Sequence, residues 1–219
     1  MSLKLFGHPF SSYTMKALIA LFENATPFDF RILDPDHPEN TAELARRWPV
    51  ARFPLLVDGA TTVFETSAII EHLTAFHRGP VPLIPDDAQG AAPVRMLDRV
   101  FDCHVMGPMQ VIVLDARRPE DARDPYGVTQ ARTALDTIYA WLDHELAGRE
   151  WAVGDAFTLA DAAAAPALFY ADWAHPIGAE HTTLKAYRAR LLARPSFARC
   201  IEDARPYRQF FPLGAPDRD

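Results

Sequence analysis

The chain has 219 residues, of which 49% are hydrophobic and 23% charged, enough apolar material for a sizeable packed core and too much for a disordered chain. Its 22 basic and 29 acidic residues leave a net charge of −7 with neither sign gathered into a block, so the cationic footprint of a nucleic-acid or anionic-membrane binder is missing. No apolar run reaches the roughly 18 residues of a membrane span, because the best, Leu159 to Ala174, is interrupted by Asp161, Pro166 and Asp172.

The opening MSLKLFGHPF lacks a basic head followed by a continuous apolar stretch, and Cys103 and Cys200 form no CxxC pair. A soluble, cytoplasmic protein in a reducing compartment, without a disulfide scaffold, is the expectation. Leu3 to Phe6 reads as a strand, and after Gly7-His8-Pro9 a helical stripe of Tyr13, Ala17 and Leu21 begins, with Ser11 or Ser12 where a cap is wanted. Phe28 to Leu33 alternates like a half-buried strand, and Ala42 to Trp48 is a short helix halted by Pro49. Leu55-Leu56-Val57 and Thr62-Val63-Phe64 flank Asp58-Gly59, a strong hairpin signal. Thr66 or Ser67 then opens a helix with Ile69, Ile70 and Leu73 inward. The order is β-α-β-α-β-β-α.

Arg78 to Pro93, with four prolines and no apolar period, reads as a linker. Beyond it only helical spacing remains, over about 92–116, 128–147, 157–174, 182–194 and 196–205, with an irregular tail after Phe211. Pro108 implies a bend in the first of these. Phe157-Thr158-Leu159-Ala160-Asp161 has the form of a capping box with aspartate in place of the usual Glu or Gln.

The ten glycines form neither a GxGxxG nor a GxxxxGK cradle, no HExxH or Cys/His cluster is present, and no GxSxG elbow occurs. No metal site is expected. Three helix starts in the first 80 residues carry what chemistry there is. Ser11-Ser12-Tyr13 sets hydroxyls at a strand-to-helix junction, where converging N–H groups can hold an anion such as a thiolate; the same serines would equally serve as plain caps. Arg52-Phe53-Pro54 opens a strand with a proline, which if cis would leave backbone groups free to pair with an extended peptide. Glu65-Thr66 sets a carboxylate and a hydroxyl at another helix start, suited to an amino acid's ammonium and carboxylate or simply to capping.

In this order the three junctions resemble those of the cytosolic glutathione S-transferases, of the bacterial serine type with theta, phi and zeta affinities, and the resemblance covers nearly the whole chain. It implies an α/β plus all-α fold: a thioredoxin-like glutathione-binding domain over 1–80, a linker at 81–91 and an all-helical domain over 92–219. By the same resemblance Ser11 would activate the glutathione thiol, with Ser12 and Tyr13 as alternates. Arg52, Phe53, cis Pro54, Glu65 and Thr66 would hold the tripeptide, Glu65 and Thr66 at its γ-glutamyl end. Phe10, Met106, Met109 and Gln110 would face a small apolar electrophile, and the two methionines would equally serve as ordinary core. Glutathione would be the co-substrate, with no metal, and the protein a homodimer without nucleic-acid or membrane partners. Phe53 is bulkier than the family's common valine, Thr66 stands for serine, and no cysteine occupies the front of the first helix, which lowers a thiol-transferase reading. The His37–Asn40 segment, which in relatives meets the glycine end, differs in length. Two other readings stay open. One is isomerisation of a maleyl-type acid, which would need cations such as Arg52 and Arg117; the other is a ligand-binding member without catalysis.

Overall fold

The computed structural model describes residues 3–219. Its first part runs β1 (Leu3–Gly7), α1 (Ser12–Glu23), β2 (Phe28–Ile32), α2 (Pro38–Arg47), β3 (Leu55–Asp58), β4 (Thr61–Phe64) and α3 (Thr66–Phe76). The sheet order is β2-β1-β3-β4, with β1 and β2 parallel and the other neighbours antiparallel. The chain order β-α-β-α-β-β-α is the one the sequence predicts, and the fold is the thioredoxin-like one that the resemblance implies.

Strand alternation divides the sheet's two faces. Leu3, Leu5 and Leu56 join the main core with α1 and α3, while Phe6, Leu55 and Val57 pack with Leu44 of α2 on the other side. The turn between β3 and β4 uses Gly59 at φ +58°, a conformation that glycine adopts without the steric cost a Cβ brings. Gly7 serves differently: a Cβ there would lie 2.6 Å from Thr14 Cγ2, so its absence lets β1 end against the first turn of α1.

The second part is helical: α4 (Ala88–Val100), a π-helical turn (Phe101–Met106), α5 (Gly107–Ala116), α6 (Pro125–Glu145), α7 (Leu159–Ala174), α8 (Thr182–Leu192) and α9 (Pro195–Ala204), closed by a 3₁₀ turn over Arg205–Phe210. Three boundaries differ from the apolar spacing. The carboxylates of Asp87 and Asp124 accept from Gly90 and Gly127 N–H, so α4 and α6 each start a few residues early, inside stretches that read as loop. The bend foreseen at Pro108 takes the form of the π turn, in which Gly107 N–H reaches back to Asp102 O and the chain widens just before a residue with no N–H to give. The tail is ordered by side chains that carry no period: Phe211 packs buried against Tyr170 and Trp173, and Arg218 pairs with Asp172.

One core runs through both parts. Helix α1 is flanked by the sheet domain on one side and by α7 and α9 on the other, and from Thr14 to Leu21 every residue is buried. At its end Glu23 receives two hydrogen bonds from Arg194, at 2.8 and 2.6 Å, and one from Ser196. Burial opposes ionisation of Glu23, but the bonds from Arg194 and Ser196 outweigh it and hold its carboxyl below the ordinary 4.5. The stability it supplies is therefore present above that value and is lost as the pH falls through the lower folded one. Glu23→Gln should cost about 1–2 kcal/mol at pH 7, read from the urea midpoint, and the gap to the parent should close on acidification. Among the described residues no helix is long and apolar enough to cross a membrane.

Candidate functional site

Two adjoining cavities lie where the parts meet. The larger, about 490 Å³, is walled by the starts of α1, β3 and α3 and by the α4–α5 region. Ser11 caps α1, its Oγ accepting from Thr14 N–H at 3.3 Å, which leaves the hydroxyl proton free to point into the cavity. Tyr13 lies beside it. Burial first, then the charge of Asp102, pushes its phenol up to about 12, so at neutral pH it is a neutral donor and not a base.

Across the cavity the Phe53–Pro54 bond is cis, which is the isomer the family resemblance implies and the spacing alone left open. Glu65 holds φ +67°, ψ +116° and makes no cap bond with its side chain, so the plain-cap reading does not apply to it: the carboxylate is directed onto the cavity wall from an uncommon backbone conformation. Thr66 is buried, and its hydroxyl lies 3.5 Å from Tyr13 O, linking the starts of α3 and α1. The uncapped N–H groups of the first turn of α3 face an anion-favouring helix end.

A charge cluster that the sequence reading missed lies under this wall. Lys16 is only 1% exposed, with its Nζ 2.5 Å from Asp98 Oδ1, 2.7 Å from Asp102 Oδ2 and 3.0 Å from Ser67 Oγ. Arg99 bonds the same two aspartates at 2.6 and 2.7 Å. Two cations against two carboxylates leave the cluster neutral, which is what makes the burial of Lys16 tolerable. The available signal was a lone lysine among apolar neighbours of a helix, together with two aspartates four apart on a later one. Cys103, exposed, lines the same cavity, and Cys200 is buried with its thiol pushed up by burial; both are free thiols.

The second cavity, about 260 Å³, shares Ser11, Tyr13, Arg52, Gln110 and Leu114 with the first; among its other side chains are Phe10, Met109 and Val113, where the first has Glu65, Thr66, Arg99 and Asp102. Phe10, Met109 and Gln110 stand on its wall as expected, and Ser12 faces only this side. Met106 does not reach it. The residue is 1% exposed within the core, because the π turn rotates it away from the face that Met109 presents. The tail supplies wall that the sequence did not reveal, in Phe210, Phe211 and Pro212, along with Tyr170, whose hydroxyl donates to Phe10 O at 2.9 Å. While Arg99 and Arg118 are paired with aspartates, Arg52 and Arg117 have no carboxylate partner among the described residues. The His37–Asn40 segment lines neither cavity; the Asn40 amide donates to Ile32 O at 2.9 Å.

A four-stranded thioredoxin-like sheet with its helices, followed by an all-helical part and with two adjoining cavities at their junction, is the two-part fold of a known family. The N-terminal domain model of the glutathione S-transferases matches residues 1–75 and the C-terminal domain model residues 102–195, and the chain belongs to that family. A solved glutathione S-transferase from Methylobacterium radiotolerans, in complex with glutathione sulfonate, is 30% identical with a TM-score of 0.79, covering 92% of this chain and 95% of its own. A probable maleylacetoacetate isomerase of Vibrio cholerae is 27% identical over 214 residues, 94% of this chain and 98% of that one. FtsZ-localized protein A of Caulobacter vibrioides is 27% identical over 208 residues, 90% of each chain.

Proposed function

We propose that the protein is a glutathione transferase in which Ser11 donates a hydrogen bond to the thiolate of bound glutathione, and the thiolate attacks an electrophilic carbon of a second, apolar substrate. One observation carries this reading: the two cavities adjoin at Ser11 and Tyr13, so a sulfur held there lies on the border between a groove bearing Pro54, Glu65 and Thr66 and a second chamber bearing Phe10, Met109 and Val113. Glu65 would take the tripeptide's ammonium, and the first turn of α3 with Thr66 its γ-glutamyl carboxylate. Backbone beside cis Pro54 would pair with the peptide, Arg52 and Phe53 flanking it. A free thiol titrates near 8.5, and a hydroxyl donor with a helix N-terminus can lower it by ~2 units, enough to make the thiolate the main form at pH 7. The family likeness extends the reading to a cytoplasmic homodimer, checked by light scattering in solution. Calorimetry with glutathione and turnover of an aryl halide test the whole. Binding with turnover supports the transferase, binding without it favours a ligand-binding module, and no uptake at millimolar glutathione sinks the proposal.

Arg52 and Arg117 favour a second reading, in which the electrophile carries a carboxylate and the adduct isomerises a maleyl-type acid. Two unpaired guanidinium groups beside Phe10, Met109 and Val113 suit such an anion. Arg117→Ala should lower kcat/KM for an acidic electrophile by roughly 10- to 150-fold, since a charge-assisted bond is worth roughly 1.5–3 kcal/mol, while a neutral aryl halide reacts as before. Equal losses for both substrates would remove the acid-binding role.

A further inference from the structure

Remote from both cavities, three side chains with metal-ligating atoms converge. Asp58 ends β3, His72 lies in α3 and His77 follows the last residue of α3. Asp58 Oδ2 is 2.9 Å from His72 Nε2 and 2.7 Å from His77 Nε2, and the three candidate ligand atoms all lie within 4.8 Å of one another. We propose that Asp58, His72 and His77 form a binding site for one divalent transition-metal ion of the zinc, cobalt or nickel kind.

Rigid elements hold all three. Asp58 is fixed opposite Thr61 in the β3–β4 ladder, ahead of the tight turn at Gly59, and the His77 N–H bonds to Leu73 O at 2.8 Å, so both histidines ride on one helix. The side chains of His72, Asp58 and His77 are 12%, 26% and 30% exposed, open enough to admit an ion and leave a position for water. Zinc–nitrogen and zinc–oxygen bonds of about 2.0–2.2 Å in tetrahedral geometry separate ligand atoms by roughly 3.3 Å, so loading the site needs the present hydrogen-bonded contacts to widen by about half an ångström. Two imidazoles and one carboxylate suit a borderline cation and not magnesium or calcium, which call for oxygen ligands. On loading, the Nε2 proton that each ring gives to Asp58 has to move, to Nδ1 or to solvent, so that the Nε2 lone pair can face the ion. The two histidines, with four residues between them, fit the histidine half of a zinc-finger spacing, but no cysteine pair precedes them and Asp58 stands fourteen residues before the first, so the sequence reading passed over the set. The ion would pin the hairpin to the C-terminal end of α3, while the N-terminal end of that helix borders the larger cavity.

The test is a calorimetric titration of the tag-free, chelator-treated full chain with zinc chloride in the absence of glutathione, which itself binds zinc. One equivalent should bind, and His72→Gln/His77→Gln should weaken binding at least tenfold while sparing the His37–Asp34 and His175–Asp136 pairs. Undiminished affinity in that variant, or no binding to the parent at millimolar zinc, overturns the proposal. Nuclear magnetic resonance of the unmutated protein gives a readout independent of variant folding. Cobalt should broaden the ring protons of His72 and His77 before those of the other six histidines, and simultaneous broadening of all eight would overturn the site.

Discussion

Replacing Ser11 with alanine should shift the rising limb of the pH–rate profile for glutathione conjugation upward by about 1 unit and lower kcat/KM at pH 6.5 by ~10- to 100-fold. The argument follows from the start of α1. Ser11 Oγ already accepts the Thr14 N–H, so its own proton is available to the sulfur, and alanine removes both the donor and the cap. Cap loss acts on the helix, at about 1 kcal/mol, and loss of the donor acts on the thiolate. The two separate cleanly: Ser11→Gly, tolerated at an N-cap, should recover most of the stability and none of the rate. Tyr13→Phe should leave the pH midpoint near the parent's. If instead it is Tyr13→Phe that moves the profile, the phenol is the donor, and Ser11 only caps the helix.

Asp161→Ala should remove most of the protein's stability, at least ~4 kcal/mol of the roughly 5–15 kcal/mol typical of a domain. The carboxylate is fully buried and accepts from Ala152 N–H at 2.8 Å, Thr158 N–H at 2.9 Å, Thr158 Oγ1 at 3.0 Å and Tyr187 OH at 2.6 Å. Burial raises its pKa, while the bonds from Tyr187, Ala152 and Thr158 act the other way. Truncation leaves four buried donors without an acceptor at the start of α7, a helix whose every residue is buried. Asp161→Asn retains one good acceptor and should lose about half as much. Urea unfolding followed by circular dichroism measures both. Asp161 lines neither cavity, so the folded fraction should keep its glutathione affinity. A loss below 1 kcal/mol for the alanine variant would contradict the role given to this carboxylate.

Features whose cause is local could be read from the sequence. Leu5 and Phe6 face opposite sides of the sheet because strand side chains alternate, Asp58-Gly59 turns because glycine tolerates φ +58°, and Asp161 reaches back to Thr158 because they stand three apart at a helix start. Features whose cause lies far along the chain could not. Lys16 is tolerable in the core only through Asp98 and Asp102, more than 80 residues away, and a single sequence cannot announce that pairing. Met106 and Met109 stand close in the sequence, and nothing in it tells which of them faces a cavity and which is core; the π turn between α4 and α5 puts Met106 in the core. Phe211 completes the second chamber by packing against Tyr170 and Trp173 of α7, with exposed Phe210 beside it on the wall, and no period marks either residue.

The position of α1 bears on how the molecule comes apart. A helix buried on every side from Thr14 to Leu21 belongs to neither half, and severing the chain between Phe76 and Ala88 would strip each fragment of the surface the other provides. Heat or denaturant should thus meet a single cooperative unit, in which damage deep among the helices is felt at the groove as readily as damage to the sheet.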